Sequence, residues 1–363
     1  MENQRNNAIA NAANWIIITV TALAVLLYFG NFLKTFAMAV LIWYLIKKLR
    51  DTIGLIKVGK IKLPKWLITT LSSVIVFLII YLIIQIIGSN IRKLTQELPQ
   101  HSENINIALQ YIETQFGIED LSQNFSKFIE KYQTEMLGYA GSFAGAVGKS
   151  LMVIVYVIFL LLEESLFGIK IDKVLKTTQR GTNIQKIGSA ITLLFDQYLS
   201  VKIFTSFLTG LLSYFALLIL GVELAGLWAF LIFLFNFIPT IGSVIATAFP
   251  ALFALMQNGT MNIFVLVLIL VGGIQVLVGS LIEPRIMGEK LNISPLVVIL
   301  GLGLWGFIWG VIGMLLSVPI TATMIIVCSQ FENTKPIAIL LSKNGDIGLI
   351  KKEVEDIEVD ENL

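Results

Sequence analysis

Histidine and cysteine are almost missing from this chain: His101 and Cys328 are single representatives among 363 residues. One cysteine excludes an internal disulfide framework, and one histidine leaves no Cys/His set for a zinc site. His101 follows Pro99 in a polar stretch, so no Ser–His–Asp arrangement is available either. HExxH and Walker sequences are absent, which removes the usual signatures of metal-assisted and nucleotide hydrolysis. Gly301-Leu302-Gly303-Leu304-Trp305-Gly306 fits GxGxxG letter for letter. No alternating strand-and-helix pattern surrounds it, and no acid follows at the ribose-binding distance. The chain therefore reads as a non-enzyme with no cofactor and no metal. Charge is also scarce, at 14% with a net of +2, which offers nothing to a nucleic-acid partner.

Apolar residues fill the space, at 56% of the chain. That balance belongs to a protein whose solvent is the lipid bilayer. The expected fold class is an all-α polytopic membrane protein of about eight membrane segments, including re-entrant or broken helical hairpins and a small external helical insert.

Residues 1–87 hold three expected spans. Residues 15–29 and 32–46 are short and separated by Gly30-Asn31, which predicts a tight helical hairpin; residues 66–87 form the third. Between them lie seven cations (Lys47, Lys48, Arg50, Lys57, Lys60, Lys62, Lys65) against the single acid Asp51. Such an excess places the loop, and with it the amino terminus, in the cytoplasm. Residues 88–148 form the external insert, with Ile105, Leu109, Ile112 and Phe116 at helical spacing and acids outnumbering cations.

Residues 149–200 supply a returning span and then an interfacial helix marked by Ile184, Ile187, Ile191, Phe195 and Tyr198. Residues 201–330 form the expected transport core. A span over 201–220 leads to a broken apolar pair, 224–237 and 241–256. A long span over 261–282 leads to a second pair, 295–304 and 309–328. One unit opens outward and the other inward, which is the plan of an inverted repeat whose broken helices bracket a binding site near the midplane. The pair tips are expected to meet near residues 236–242 and 304–310. Residues 331–363 read as a mobile, charged cytoplasmic tail.

Polar side chains inside these segments are the candidate site. Asn236, Pro239, Thr240, Gly242, Gln275, Gly306 and Gly310 are expected to bind solute or gate, with Asn236 divided between solute contact and helix capping. Ser243, Thr247, Ser317 and Thr321 also lie within the pairs. Glu283, Asp196 and Glu223 are the membrane-adjacent acids available for ion coupling, and for Glu283 the bland alternative is a solvated charge beside Arg285. Pro250, Pro284, Gly288, Pro295, Gly313 and Pro319 shape the hairpins through backbone geometry.

Asn236-Phe237-Ile238-Pro239-Thr240-Ile241-Gly242, Pro250-Ala251-Leu252, Glu283-Pro284-Arg285-Ile286-Met287-Gly288 with Leu291-Asn292-Ile293-Ser294-Pro295, and Trp309-Gly310-Val311-Ile312-Gly313 ending at Pro319 resemble the autoinducer-2 exporter family of permeases. The match is close over the carboxy-terminal half and one of layout over the amino-terminal half. The resemblance implies a homo-oligomeric transporter of the bacterial or archaeal inner membrane, and the charge pattern above places both termini in the cytoplasm. Some relatives export the autoinducer-2 signal and others exchange sodium for protons. Many relatives carry a glutamate where this chain has Val278, which leaves Gln275 and Glu283 as coupling candidates. The expected function is secondary export of a small hydrophilic solute, an autoinducer-2-like signal, by alternating access. The alternatives are a Na+ or Li+/proton antiporter and a non-transporting membrane scaffold.

Overall fold

The computed structural model describes residues 24–55, 64–97, 151–170, 181–287 and 292–345, together with a few isolated positions. Among them the regular structure is helical, and an isolated bridge between Ile293 and Ser342 is the one strand-like pairing. Among the described residues, six helices are long and apolar enough to cross a membrane, and two shorter apolar helices join them. Large apolar side chains cover the outside, among them Phe207, Phe215, Phe307 and Leu218. Only a lipid solvent tolerates that surface.

Helix α1 (Gly30–Leu55), α2 (Lys65–Glu97) and α3 (Leu151–Lys170) pack around Ala39, Ile46, Val76 and Val157. The tight turn expected at Gly30-Asn31 is not there. The Phe29 amide donates to Val25 and the Leu33 amide to Phe29, both 2.9 Å, so helical hydrogen bonding runs through the position. Glycine and asparagine are tolerated in a membrane helix when the backbone remains satisfied. Most of the external insert, with His101, lies outside the described residues, as do Gly288 and the acidic end of the tail.

Helix α4 (Gly181–Ile219) joins what the sequence separates into an interfacial helix and a span. Its 39 residues extend about 58 Å, nearly twice a hydrocarbon core. No proline or glycine pair interrupts the junction near Tyr198, so nothing stops the helix there.

Two helical hairpins follow. The first is α5 (Ala225–Phe235) and α6 (Ile241–Asn258). Eleven residues give α5 about 16 Å, half a bilayer core, so it cannot cross. Its arm is shorter than expected, because the chain leaves the helix at Asn236 and not after Phe237. Helix α7 (Met261–Val276) then continues through a π-helical segment, Leu277–Ile282, into α8 (Glu283–Met287). The expected stop at Ile282 is replaced by this widened turn. Pro284 would press on the carbonyl four residues before it, and a π turn relieves that contact.

The second hairpin is α9 (Pro295–Trp309) and α10 (Val311–Ser329), broken at Gly310 alone. Gly306 remains helical and packs against Met314. Helix α11 (Lys335–Leu341) then folds back, with Ala338 fully buried and the Ser294 amide donating to the Leu341 carbonyl. The start of the tail is thus docked, where a mobile segment was expected.

Helix α4 organises both hairpins. Its carboxy-terminal part, with Leu217, joins Trp228, Ile232, Ala246, Phe253 and Val271 in one core. Its amino-terminal part, with Ala190, Leu194 and Tyr198, joins Val318, Ala322 and Ile325 in another. The first hairpin opens beside the end of α4 and sends its tip back to Ser206, where Asn236 is bonded. The second opens beside the start of α4, and its tip carbonyl at Ile308 reaches Gly30 at the head of α1. They enter along α4 from opposite ends. The first tip is tied to α4 through Asn236 and Ser206, and the second lies against the head of α1 through the Ile308 carbonyl.

Candidate functional site

Both hairpin tips are held by the same local device. A Cβ on Gly242 would stand 1.8 Å from the Phe235 carbonyl oxygen, and a Cβ on Gly313 would stand 1.8 Å from the Trp305 carbonyl oxygen. Only glycine permits either approach of the second arm to the first. Immediately before each second arm a residue takes a positive φ: Thr240 at 59° and Gly310 at 65°. At Thr240 the ψ of −61° and a 2.6 Å bond from the Ile241 amide to the Pro239 carbonyl make a γ-turn. Outside glycine that turn is rare and strained, and such strain gathers at sites that bind or switch.

One face of α4 carries Lys202, Thr205, Ser206, Thr209 and Ser213, every one buried. Lys202 Nζ donates to both oxygens of Glu283, at 2.7 and 3.0 Å, and the Thr205 hydroxyl lies 3.4 Å from Oε2. Their side chains are 8% and 19% exposed, so the pair is shielded from bulk water. Glu283 is placed there by the π turn, its amide donating to the Val278 carbonyl. Arg285, the partner expected from sequence, is exposed on the other side of its helix. Lys202 was missed because a single lysine at the head of a span reads as a boundary charge. The signal was present, as Lys202, Thr205, Ser206, Thr209 and Ser213 recur every three or four residues in an otherwise apolar helix.

Asn236 donates from Nδ2 to Ser206 Oγ at 3.1 Å, one turn from Lys202. Its side chain does not cap α5, whose end is closed by the Asn236 amide bonding to the Ile232 carbonyl. Gln275 is buried with its Nε2 unbonded among the described residues. Ser243, Thr247, Ser317 and Thr321 bond back to carbonyls of their own helices, close to Pro250 and Pro319. Their hydroxyls serve the backbone.

The other two acids are elsewhere. Asp196 accepts from Lys48 at 2.8 Å and from the Tyr44 hydroxyl at 2.5 Å, tying α4 to α1. Glu223 lies in the exposed turn after α4, which Gln257 bridges by accepting from the Glu223 amide and donating to the Gly221 carbonyl. Beside Asp196, Glu164 of α3 accepts from both Arg50 guanidinium nitrogens at 2.6 and 3.0 Å and from Trp43 Nε1 at 3.3 Å. Arg50 lies beyond the expected span of α1, and its bond to Glu164 pushes its pKa above the ordinary arginine value. No group of three or more metal-ligating side chains occurs among the described residues.

The arrangement offers neutralised charge, amide and hydroxyl groups along one helix, framed by two opposed hairpins. The profile of the AI-2E family transporters matches residues 16–333. A "Putative transport protein" of Haemophilus influenzae is 34% identical over 301 residues, covering 79% of this chain and 83% of the relative. The "AI-2 transport protein TqsA" of Escherichia coli is 32% identical over 289 residues, covering 77% and 82%. A like-named transport protein of Borreliella burgdorferi is 30% identical over 260 residues, covering 68% of each. The chain belongs to the AI-2E transporter family, a multi-pass membrane protein of a family of transporters.

Proposed function

We propose that this chain is a secondary transporter that exports a small hydrophilic solute of the autoinducer-2 type by alternating access. The observation that carries the reading is the pair of glycine-locked hairpins packed along α4 toward its opposite ends, with the buried polar face of α4 tied to the first tip through Ser206 and Asn236. Broken helices in that relation are the usual frame of a transporter's solute site. Asn236, Thr240 and Gln275 would face the solute or its gate, and Gly306 and Gly310 would shape the second tip. The basic stretch over residues 47–65, which begins inside the end of α1, supports cytoplasmic termini, and a homo-oligomer in the bacterial inner membrane completes the reading. The AI-2 assignment comes from the name of the Escherichia coli relative and travels here as a proposal.

Purified protein in sealed vesicles loaded with autoinducer-2 tests it. Efflux should exceed that of protein-free vesicles and fall in Asn236→Ala and Pro239→Ala, while membrane insertion persists. Equal efflux from wild type and protein-free vesicles would sink the reading. The partly buried carboxylate of Glu283 favours one second reading, a Na+ or Li+/proton antiporter. Lithium-dependent proton movement without solute would select it.

A further inference from the structure

We propose that Ser213, Trp228 and Gln275 form a solute-binding site between α4, α5 and α7, and that it takes an uncharged molecule presenting hydroxyl or carbonyl oxygens; this rests on the transport reading above. The site lies about two turns of α4 beyond the first hairpin tip. Ser213 is fully buried, and Trp228 and Gln275 are 5% and 8% exposed. Ser213 Oγ, Trp228 Nε1 and Gln275 Nε2 find no hydrogen-bond partner among the described residues. A buried polar atom without a partner is costly, and folded proteins keep few of them. Three on neighbouring helices at one level of the fold point to a ligand.

The register of the helices brings the three together. Lys202 of α4 meets Glu283, and Leu217 of α4 shares a core with Val271 of α7, so α4 and the run from α7 to α8 are antiparallel. Gln275 stands eight residues before Glu283, and the residue eight beyond Lys202 is Gly210. About 12 Å of helix on each side thus sets Gln275 level with Gly210, one turn from Ser213. On the other side, Asn236 meets Ser206. Eight residues back from Asn236 is Trp228, and eight forward from Ser206 is Tyr214, next to Ser213. The close approach of α4 to α5 fits that pairing, since a Cβ on Gly210 would stand 2.9 Å from the Ala229 carbonyl oxygen. The faces agree as well. Ser213 precedes Leu217 by one turn, Gln275 follows Val271 by one turn, and Leu217, Trp228 and Val271 belong to one core.

The donor set selects the ligand. An indole N–H and an amide NH2 can only donate, so the ligand must accept, while the Ser213 hydroxyl can turn either way. An apolar molecule would leave all three groups unpaired. An ion would lack a counter-charge, because the charged side chains of α4 and the α7–α8 run nearest to this level, Lys202 and Glu283, are already paired with each other. A neutral hydroxyl or carbonyl oxygen meets both conditions. Thr209, whose hydroxyl serves the Thr205 carbonyl, and Ser206, which holds Asn236, carry the same polar face of α4 from this site toward the first tip.

Ultraviolet resonance Raman spectra of the purified full-length protein in lipid vesicles, taken as wild type minus W228F, report the hydrogen bonding of the Trp228 indole N–H. The expected result is an N–H band in the bonded position that moves when autoinducer-2 is added. Efflux measured against autoinducer-2 concentration gives a second readout. S213A, W228F and Q275M should each raise KM about fivefold, the contribution of one hydrogen bond, with kcat little changed. S213A and Q275M remove less packing and carry the test if W228F fails to fold. An unbonded band with and without autoinducer-2 overturns the proposal. A bonded band that autoinducer-2 leaves unmoved, with KM unchanged in all three variants, assigns the donors to water alone and overturns the solute role. A band that moves with autoinducer-2 in a protein without efflux supports the binding site and counts against the transport reading.

Discussion

Lys202 Nζ lies 2.7 Å from Glu283 Oε1, an ion pair between a buried lysine and a half-buried carboxylate 81 positions apart in the chain. Removing one partner strands the other charge, whereas removing both leaves none. K202M and E283Q should each destabilise by about 3–5 kcal/mol, and the double variant by much less. Thermal unfolding in detergent, followed by tryptophan fluorescence, gives the cycle; additive losses would show that the two side chains act independently.

Gly242 and Gly313 face carbonyl oxygens at 1.8 Å once a Cβ is added, so alanine at either position must push the two arms of a hairpin apart. Each substitution should cost about 3 kcal/mol or more. Gly273, with open space around it, serves as the control and should tolerate alanine. Folded yield by size-exclusion chromatography reads the difference, and equal yields for all three would contradict the packing described.

Thr240 holds a φ of 59° that glycine adopts freely. Thr240→Gly should raise stability by about 1 kcal/mol, part of the relieved strain being offset by a more flexible unfolded chain. If the strained tip serves the transport cycle, efflux of autoinducer-2 falls in the same variant. A stabilised protein with wild-type efflux would make the γ-turn a purely structural feature.

Arg50 and Glu164 meet through two parallel bonds, with Trp43 Nε1 on the same carboxylate. A lysine cannot reproduce that fork, so Arg50→Lys should lose most of what Arg50→Ala loses, about 1–3 kcal/mol. The unfolding midpoint of the two variants decides it; full recovery by lysine would mean that charge alone matters there.

Sequence and structure divide at identifiable residues. The hairpin prolines and glycines could be read because a bilayer forbids freed backbone groups except in special surroundings, so each break stands out from the apolar run. Pro239, Gly310 and Pro319 thus marked the tips and arms from the sequence. Arm lengths were less legible: α5 ends at Phe235 and α9 continues to Trp309, because neither Phe237 nor Gly306 differs enough in hydropathy from its neighbours to mark a boundary. The hairpin expected at Gly30-Asn31 failed for a related reason, since both residues fit a helix when its hydrogen bonds persist.

By itself, the sequence determined the solvent, the helical class and the family. The first two follow from composition and from local rules that act within a few residues, and the family from the resemblance of the motifs around Pro239, Pro284 and Gly310, which the match over residues 16–333 bears out. The tertiary structure decided the partners: Lys202 and not Arg285 for Glu283, Lys48 and Tyr44 for Asp196, Ser206 for Asn236. Each joins helices distant in the chain, and a charge or amide in a membrane helix announces only that it needs a partner. Which partner it finds depends on how α4 packs against α1, the first hairpin and the helix that carries Glu283, and no local pattern carries that information.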